Sequence, residues 1–197
     1  MNKFLITGHR RTGTSYLSSI LNSQNNTCCV EHNFFSNYDL SYPRNLNILN
    51  SQINSTFLYT KFKASNIKEL NISDEKIINI FLNDLKNFYN VDNIGIKKTN
   101  LTLKQISFLV KVLGFKVILT NRNLKDIYKS YINRDPGDKF NLAVNIKNYY
   151  ENLNNLNLPN LTLNQDYMII EYDDLLKKEE ECLHKISRFL GFKIEKK

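Results

Sequence analysis

Residues 5–17, Leu-Ile-Thr-Gly-His-Arg-Arg-Thr-Gly-Thr-Ser-Tyr-Leu, constrain the fold more than any other stretch of the chain. A short apolar strand over 3–7 runs into a turn of Gly, Arg and Thr. The turn opens a helix that carries Leu17, Ile20 and Leu21 on one face. A strand, a small-residue turn and a helix N-terminus together make an anion site, because free backbone N–H groups and the positive end of the helix dipole point into the turn. Gly8 and Gly13 allow close backbone approach. Thr12, Thr14 and Ser15 bring hydroxyl donors, and Arg10 and Arg11 bring fixed charge. A Walker A loop requires Lys directly after its second Gly. Thr14 stands at that position, which disfavours an ordinary phosphoryl-transfer NTPase.

A second segment has the same character. In 116–131 an apolar strand, Val117 to Thr120, ends at Arg122, and a helix begins at Asn123, a good N-cap residue. Leu124, Ile127 and Tyr131 recur at helical spacing and mark its buried face. Arg122 thus sits at the carboxyl end of a strand, where open α/β sheets place their ligands.

These residues resemble a known family. Arg11-Thr12-Gly13-Thr14-Ser15 is similar to the loop with which sulfotransferases bind the 5′-phosphosulfate of 3′-phosphoadenosine 5′-phosphosulfate (PAPS). Arg122-Asn123-Leu124-Lys125-Asp126, followed by Ser130, resembles the segment whose Arg and Ser, eight residues apart, hold the 3′-phosphate; Leu124 replaces the common Pro. Gly95-Ile96-Lys97-Lys98-Thr99-Asn100 is similar to the family's Gly-x-Lys-Thr-Pro stretch, with Asn100 in place of Pro. Residues 169–176 and 186–192 resemble the strand, acidic turn, helix and Phe-Leu-Gly ending of many members. The Arg-Lys-Gly motif of the cytosolic small-molecule enzymes is missing. The likeness is therefore to carbohydrate- and tyrosine-sulfating or short microbial members.

The resemblance implies in-line sulfuryl transfer from PAPS to a hydroxyl or amine, with 3′-phosphoadenosine 5′-phosphate (PAP) as product and no metal. Arg10, Arg11, Thr12, Gly13, Thr14 and Ser15 would hold the 5′ end, and Arg122 and Ser130 the 3′-phosphate. Arg11 would also stabilise charge on the leaving oxygen. Lys98 is a second candidate for that role, with Lys97 replacing it if the strand phase differs by one. Glu31, at the end of the second strand, is the favoured base that deprotonates the acceptor, and His32 the alternative. Tyr172 is either a nucleotide contact or a strand-end core residue. The acceptor stays open among glycan, tyrosyl peptide, lipid and small molecule.

Two other classes remain at this point, a small-molecule or nucleoside kinase and a non-catalytic nucleotide or polyanion binder of the same fold. The net charge of +8 first suggests nucleic acid. The basic residues are spread along the chain, however, and a polyanionic cofactor accounts for Arg10, Arg11, Lys98 and Arg122 more economically. No nucleic-acid partner is expected. Cys28, Cys29 and Cys182 are an odd set that suits a reducing compartment. With no apolar run of about 18 residues, and with charge at His9 to Arg11 closing the first apolar stretch, the expectation is a soluble cytoplasmic protein without a membrane span, or one trimmed of an anchor.

Strands are predicted near 3–7, 27–31, 94–97, 116–121 and 167–171, with helices near 13–23, 74–89, 102–113, 124–134, 140–153 and 173–190. This alternation predicts a single α/β domain over 1–197, a three-layer sandwich with a mostly parallel central sheet and a P-loop-like strand-turn-helix. Residues 33–72 read as an irregular insertion and candidate acceptor region.

Overall fold

The computed structural model describes residues 1–31, 74–99, 101, 103–133 and 161–195. The insertion 33–72, His32 and the helix predicted near 140–153 lie outside the described residues. The elements run β1 (Asn2–Gly8), α1 (Thr14–Asn22), β2 (Thr27–Glu31), α2 (Asp74–Tyr89), β3 (Asn93–Lys97), α3 (Leu103–Lys111), β4 (Lys116–Asn121), α4 (Leu124–Ile132), β5 (Tyr167–Glu171), α5 (Tyr172–Lys177) and α6 (Glu179–Leu190).

The five strands form one sheet in the order β2-β3-β1-β4-β5. Every pairing is parallel. Parallel strands are buried on both faces, and successive side chains divide between two cores. Leu5, Cys28, Ile94 and Ile96 face α2 and α3, which contribute Leu82, Leu85, Ile106 and Leu109. Phe4, Ile6, Cys29 and Ile118 face the opposite layer, where α1, α5 and α6 supply Leu17, Leu21, Leu175, Leu183 and Ile186. The adjacent thiols of Cys28 and Cys29 therefore enter different cores, and both are free.

The helix predicted over 173–190 is two helices. Lys178, at φ −130° and ψ 45°, breaks it. Its N–H closes α5 on the Asp174 carbonyl at 2.7 Å, and its carbonyl opens α6 by accepting from Cys182 N at 3.0 Å. Three consecutive acidic residues, Glu179 to Glu181, suit the first turn of a new helix better than a helix interior.

The strand order fixes where a ligand can sit. From β1 the chain leaves toward β2 on one side of the sheet, and from β4 toward β5 on the other. The connections diverge between the carboxyl ends of β1 and β4, and open α/β sheets form their binding crevice at such a switch point. The 8–13 loop and Arg122 both start there.

Candidate anion-binding site

The loop between β1 and α1 is shaped from within. Gly8 has no space for a side chain: a Cβ there would meet the Thr120 carbonyl and the hydroxyls of Thr120 and Thr12. The Thr12 hydroxyl donates to the His9 carbonyl at 2.7 Å and shares a 2.7 Å hydrogen bond with Thr120 Oγ1. Thr12 is buried. The Thr12 hydroxyl, expected at the 5′ end of the donor, thus bonds within the loop and to β4. Thr120 was not singled out from the sequence, where it is one β-branched strand residue among several.

Arg11 at φ 72° and Gly13 at φ 90° put two left-handed residues into one turn. Such a turn gathers backbone N–H groups into a concavity suited to an anion. Gly13 is the N-cap of α1 and gives no side-chain cap, and the first turn of α1 holds no acidic residue. The first intrahelical bond runs from Leu17 N to Gly13 O at 3.0 Å. The N–H groups of Thr14 and Ser15 precede that ladder, at the positions where a helix has no carbonyl of its own to offer. Thr14 is buried under the loop, whereas Ser15 is exposed.

Lys97 ends β3 in register with Ile6 on one side and Glu31 on the other. Its Nζ donates to Ser15 Oγ at 3.0 Å. Lys97, the alternative to Lys98, thus reaches the loop, and the Lys98 backbone N–H continues the ladder to Ile6 O at 3.0 Å. The phase follows from Ile96, which is buried toward α2 and α3, so that Lys97 emerges on the α1 face. Glu31 terminates β2 directly beside Lys97.

From the β4 side, Arg122 closes the site. Its guanidinium lies 4.6 Å above the Tyr172 ring, and its Nη1 donates to the Arg11 carbonyl at 3.3 Å. The Tyr172 ring in turn packs on Gly13, where a Cβ would overlap Cδ2 and Cε2. Tyr16 stands edge-on to Tyr172 with centroids 6.5 Å apart, and its hydroxyl donates to Glu179 Oε1 at 2.8 Å. Asn123 caps α4 by accepting from Lys125 N at 2.9 Å. One helical stretch later Ser130 Oγ accepts from Arg11 Nε at 3.0 Å. Arg11 therefore reaches toward α4. Arg10 is exposed.

His9 is buried, with its Nδ1 2.7 Å from the Arg10 carbonyl and its ring edge-on to Tyr131 at 6.0 Å. A carbonyl only accepts, so Nδ1 carries the proton. Burial lowers the pKa below its ordinary value, and the charge of Arg10 adds to this against the opposing backbone bond. A histidine with a lowered folded pKa binds fewer protons than the unfolded chain. Its stabilising contribution is complete above the unfolded value of about 6.5 and is lost as pH falls below it. The melting temperature of His9→Gln should accordingly fall less than that of the parent between about pH 7.5 and pH 5.5, as followed by calorimetric melts. An equal fall in both proteins would show that His9 does not sense that range.

Among the described residues no group of three His, Cys, Asp or Glu side chains is placed to hold a metal ion. None of the described helices is long and apolar enough to cross a membrane.

The sulfotransferase family model matches residues 4–196. The chain belongs to the sulfotransferase family. No curated protein sequence matches it significantly. Among solved structures, the sulfotransferase domain from the curacin biosynthetic pathway superposes with a TM-score of 0.58 at 15% identity, over 99% of this chain and 76% of that one. A mouse sulfotransferase complexed with PAP gives 0.55 at 13% identity, over 99% of this chain and 61% of that one. A sugar kinase from a Janibacter species gives 0.51 at 12% identity, over 95% of each chain. At these identities the likeness is one of fold. The kinase shares the layered sheet, while the family match separates this chain from it.

Proposed function

We propose that the protein transfers the sulfuryl group of PAPS to a hydroxyl or amine acceptor. One observation carries the reading: the two anion-binding segments, on different strands, are joined through Arg11. Its side chain bonds Ser130 of α4, and its carbonyl accepts from Arg122. A site assembled this way suits one ligand with negative charge at two ends, as a 3′,5′-bisphosphorylated nucleotide has. The sulfotransferase match and the PAP carried by the mouse relative support the same donor.

The residues present fit such a donor. The uncapped start of α1, with the N–H groups of Thr14 and Ser15, would hold the 5′ end together with Lys97. Arg122 and Ser130 would hold the 3′-phosphate. PAPS supplies an activated sulfuryl group, and transfer of that kind passes through a loose transition state in which positioning and charge stabilisation dominate. With the 5′ end held there, the N–H groups and the Lys97 ammonium would stabilise charge on the leaving group. Glu31, beside Lys97 at the end of β2, is the proposed proton acceptor for the incoming hydroxyl or amine, with His32 as the alternative. The acceptor would be a glycan, tyrosyl peptide, lipid or small molecule.

Calorimetric titration with PAP, adenosine 5′-phosphate and ATP·Mg²⁺ tests the donor. PAP should bind at least roughly tenfold more tightly than adenosine 5′-phosphate, given one added phosphate with charge-assisted hydrogen bonds. Tight ATP·Mg²⁺ binding without preference for PAP would support a kinase and overturn the proposal.

A further inference from the structure

We infer that Thr120, a buried residue of β4, is a positioning residue: it fixes the spacing between the two ends of the proposed donor site. The inference rests on the proposed donor and adds to its machinery a residue that touches no ligand.

Three observations lead there. First, Thr120 and Arg122 stand two residues apart at the end of β4, and both side chains reach the β1–α1 loop. Thr120 Oγ1 lies 2.7 Å from Thr12 Oγ1, and Arg122 Nη1 donates to the Arg11 carbonyl at 3.3 Å. Two successive loop residues are thereby laced to the strand end. Second, the hydroxyl protons run one way. Each threonine hydroxyl has a single proton. Thr12 gives its proton to the His9 carbonyl at 2.7 Å, so the contact between the two hydroxyls uses the proton of Thr120. The Thr7 carbonyl, at 3.3 Å from Thr120 Oγ1, is the longer of the two acceptors in reach of it. The chain runs from Thr120 through Thr12 to the His9 carbonyl, and hydrogen bonds in series strengthen one another. Third, the lacing has no slack. A Cβ at Gly8 would lie 2.6 Å from Thr120 Oγ1 and 2.8 Å from Thr12 Oγ1. Both threonines are 1% exposed, so water does not replace the bond between them.

A ligand with charge at both ends gains its second contact in full only where the two halves of the site already match its length. The proposed 5′ half lies on the loop, and the proposed 3′ half begins at Arg122. Arg122 also ties loop to strand, but its guanidinium is shared with the proposed phosphate. Thr120, shielded from any ligand, has no such second duty.

The test compares Kd for PAP and for adenosine 5′-phosphate in the parent protein, Thr120→Val, Thr120→Ala and Thr120→Ser, with a thermal melt of each. Valine keeps the branched shape but places a methyl where the hydroxyl stood, and a methyl packs at about 3.5 Å or more rather than at hydrogen-bond distance. Alanine removes the hydroxyl without the intruding methyl, and so carries the test by itself should valine prevent folding. Both should weaken PAP by roughly threefold to tenfold, the effect of one lost hydrogen bond. Adenosine 5′-phosphate, which engages only the 5′ half, should change by less than about twofold. Thr120→Ser keeps the hydroxyl and should hold the preference for PAP within about twofold of the parent, even where the lost methyl lowers its melting temperature. Equal losses of both ligands in Thr120→Ala would make Thr120 a support of the loop alone, and unchanged Kd values would remove it from binding altogether. A preference that falls as far in Thr120→Ser as in Thr120→Ala would show that the hydroxyl is not the cause. Each of these results overturns the inference while leaving the donor intact. A parent protein that shows no preference for PAP overturns the donor reading and this inference with it.

Discussion

Replacing Arg122 with alanine should weaken PAP binding about a hundredfold, the loss expected when a charge-assisted contact of about 2–3 kcal/mol is removed from a phosphate. The same change should lower the melting temperature, because the side chain has structural contacts as well as a proposed ligand. It lies on the Tyr172 ring and bonds the carbonyl of Arg11, which stands in a left-handed conformation. A cation over an aromatic face contributes about 0.5–2 kcal/mol depending on its exposure, and the carbonyl bond helps hold the loop in its turn. Arg122→Lys separates these effects. Lysine keeps a point charge for the phosphate and loses both the planar stack and the second donor. Its PAP affinity should fall by roughly tenfold, between the parent and Arg122→Ala, with a melting temperature closer to the alanine variant. Calorimetry and thermal melts on the three proteins decide the matter. PAP affinity within about threefold of the parent in Arg122→Ala would leave the switch-point arginine without a ligand.

The fold was largely legible because its signals are local. The strands over 27–31, 116–121 and 167–171 and the helix over 74–89 have the predicted bounds, since each combines a clear apolar period with polar or small residues at its ends. The break at Lys178 was not legible. Leu175, Cys182 and Ile186 lie at helix-compatible spacing across it, so periodicity alone reads one helix, and only the acidic run Glu179–Glu181 hinted at a new start. At the site, the strand-turn-helix and Arg122 could be placed at strand ends from sequence, because the alternation of strands and helices dictates which ends share a sheet edge. What could not be read was side-chain commitment. Thr12 and Ser15 are both small hydroxyl residues of the loop, yet one is buried against Thr120 and the other meets Lys97. That difference depends on strand neighbours 108 and 82 residues away in the chain. The lysine phase is similar in kind. Two adjacent lysines look alike in sequence, and the burial of Ile96 in one core is what turns Lys97 toward the loop.

Gly13→Ala should be among the most damaging single-methyl changes the chain can undergo. The position is held at φ 90°, which an L residue adopts at a cost of about 1–2 kcal/mol. The added Cβ would also fall within the Tyr172 ring, against Cδ2 and Cε2. Displacing a packed ring typically costs a further ~1–3 kcal/mol, so a total of about 2–5 kcal/mol is expected, or roughly 5–20 °C in melting temperature for a chain of this size. The ring cannot retreat without consequence: Tyr16 stands on one side of it and the Arg122 guanidinium lies over it. A methyl group at residue 13 should therefore reduce PAP binding through Arg122, even though it removes no ligand contact of its own. The double variant Gly13→Ala with Tyr172→Ala tells the two costs apart. Removing the ring relieves the overlap and leaves the left-handed penalty, so the double variant should be less destabilised than the sum of the two single variants by about 1–2 kcal/mol, the coupling expected of residues in contact. Strict additivity in thermal melts would show that the ring is not what excludes a side chain at residue 13. The requirement for glycine would then lie in the backbone alone, and Tyr172 would have no part in setting the shape of the loop.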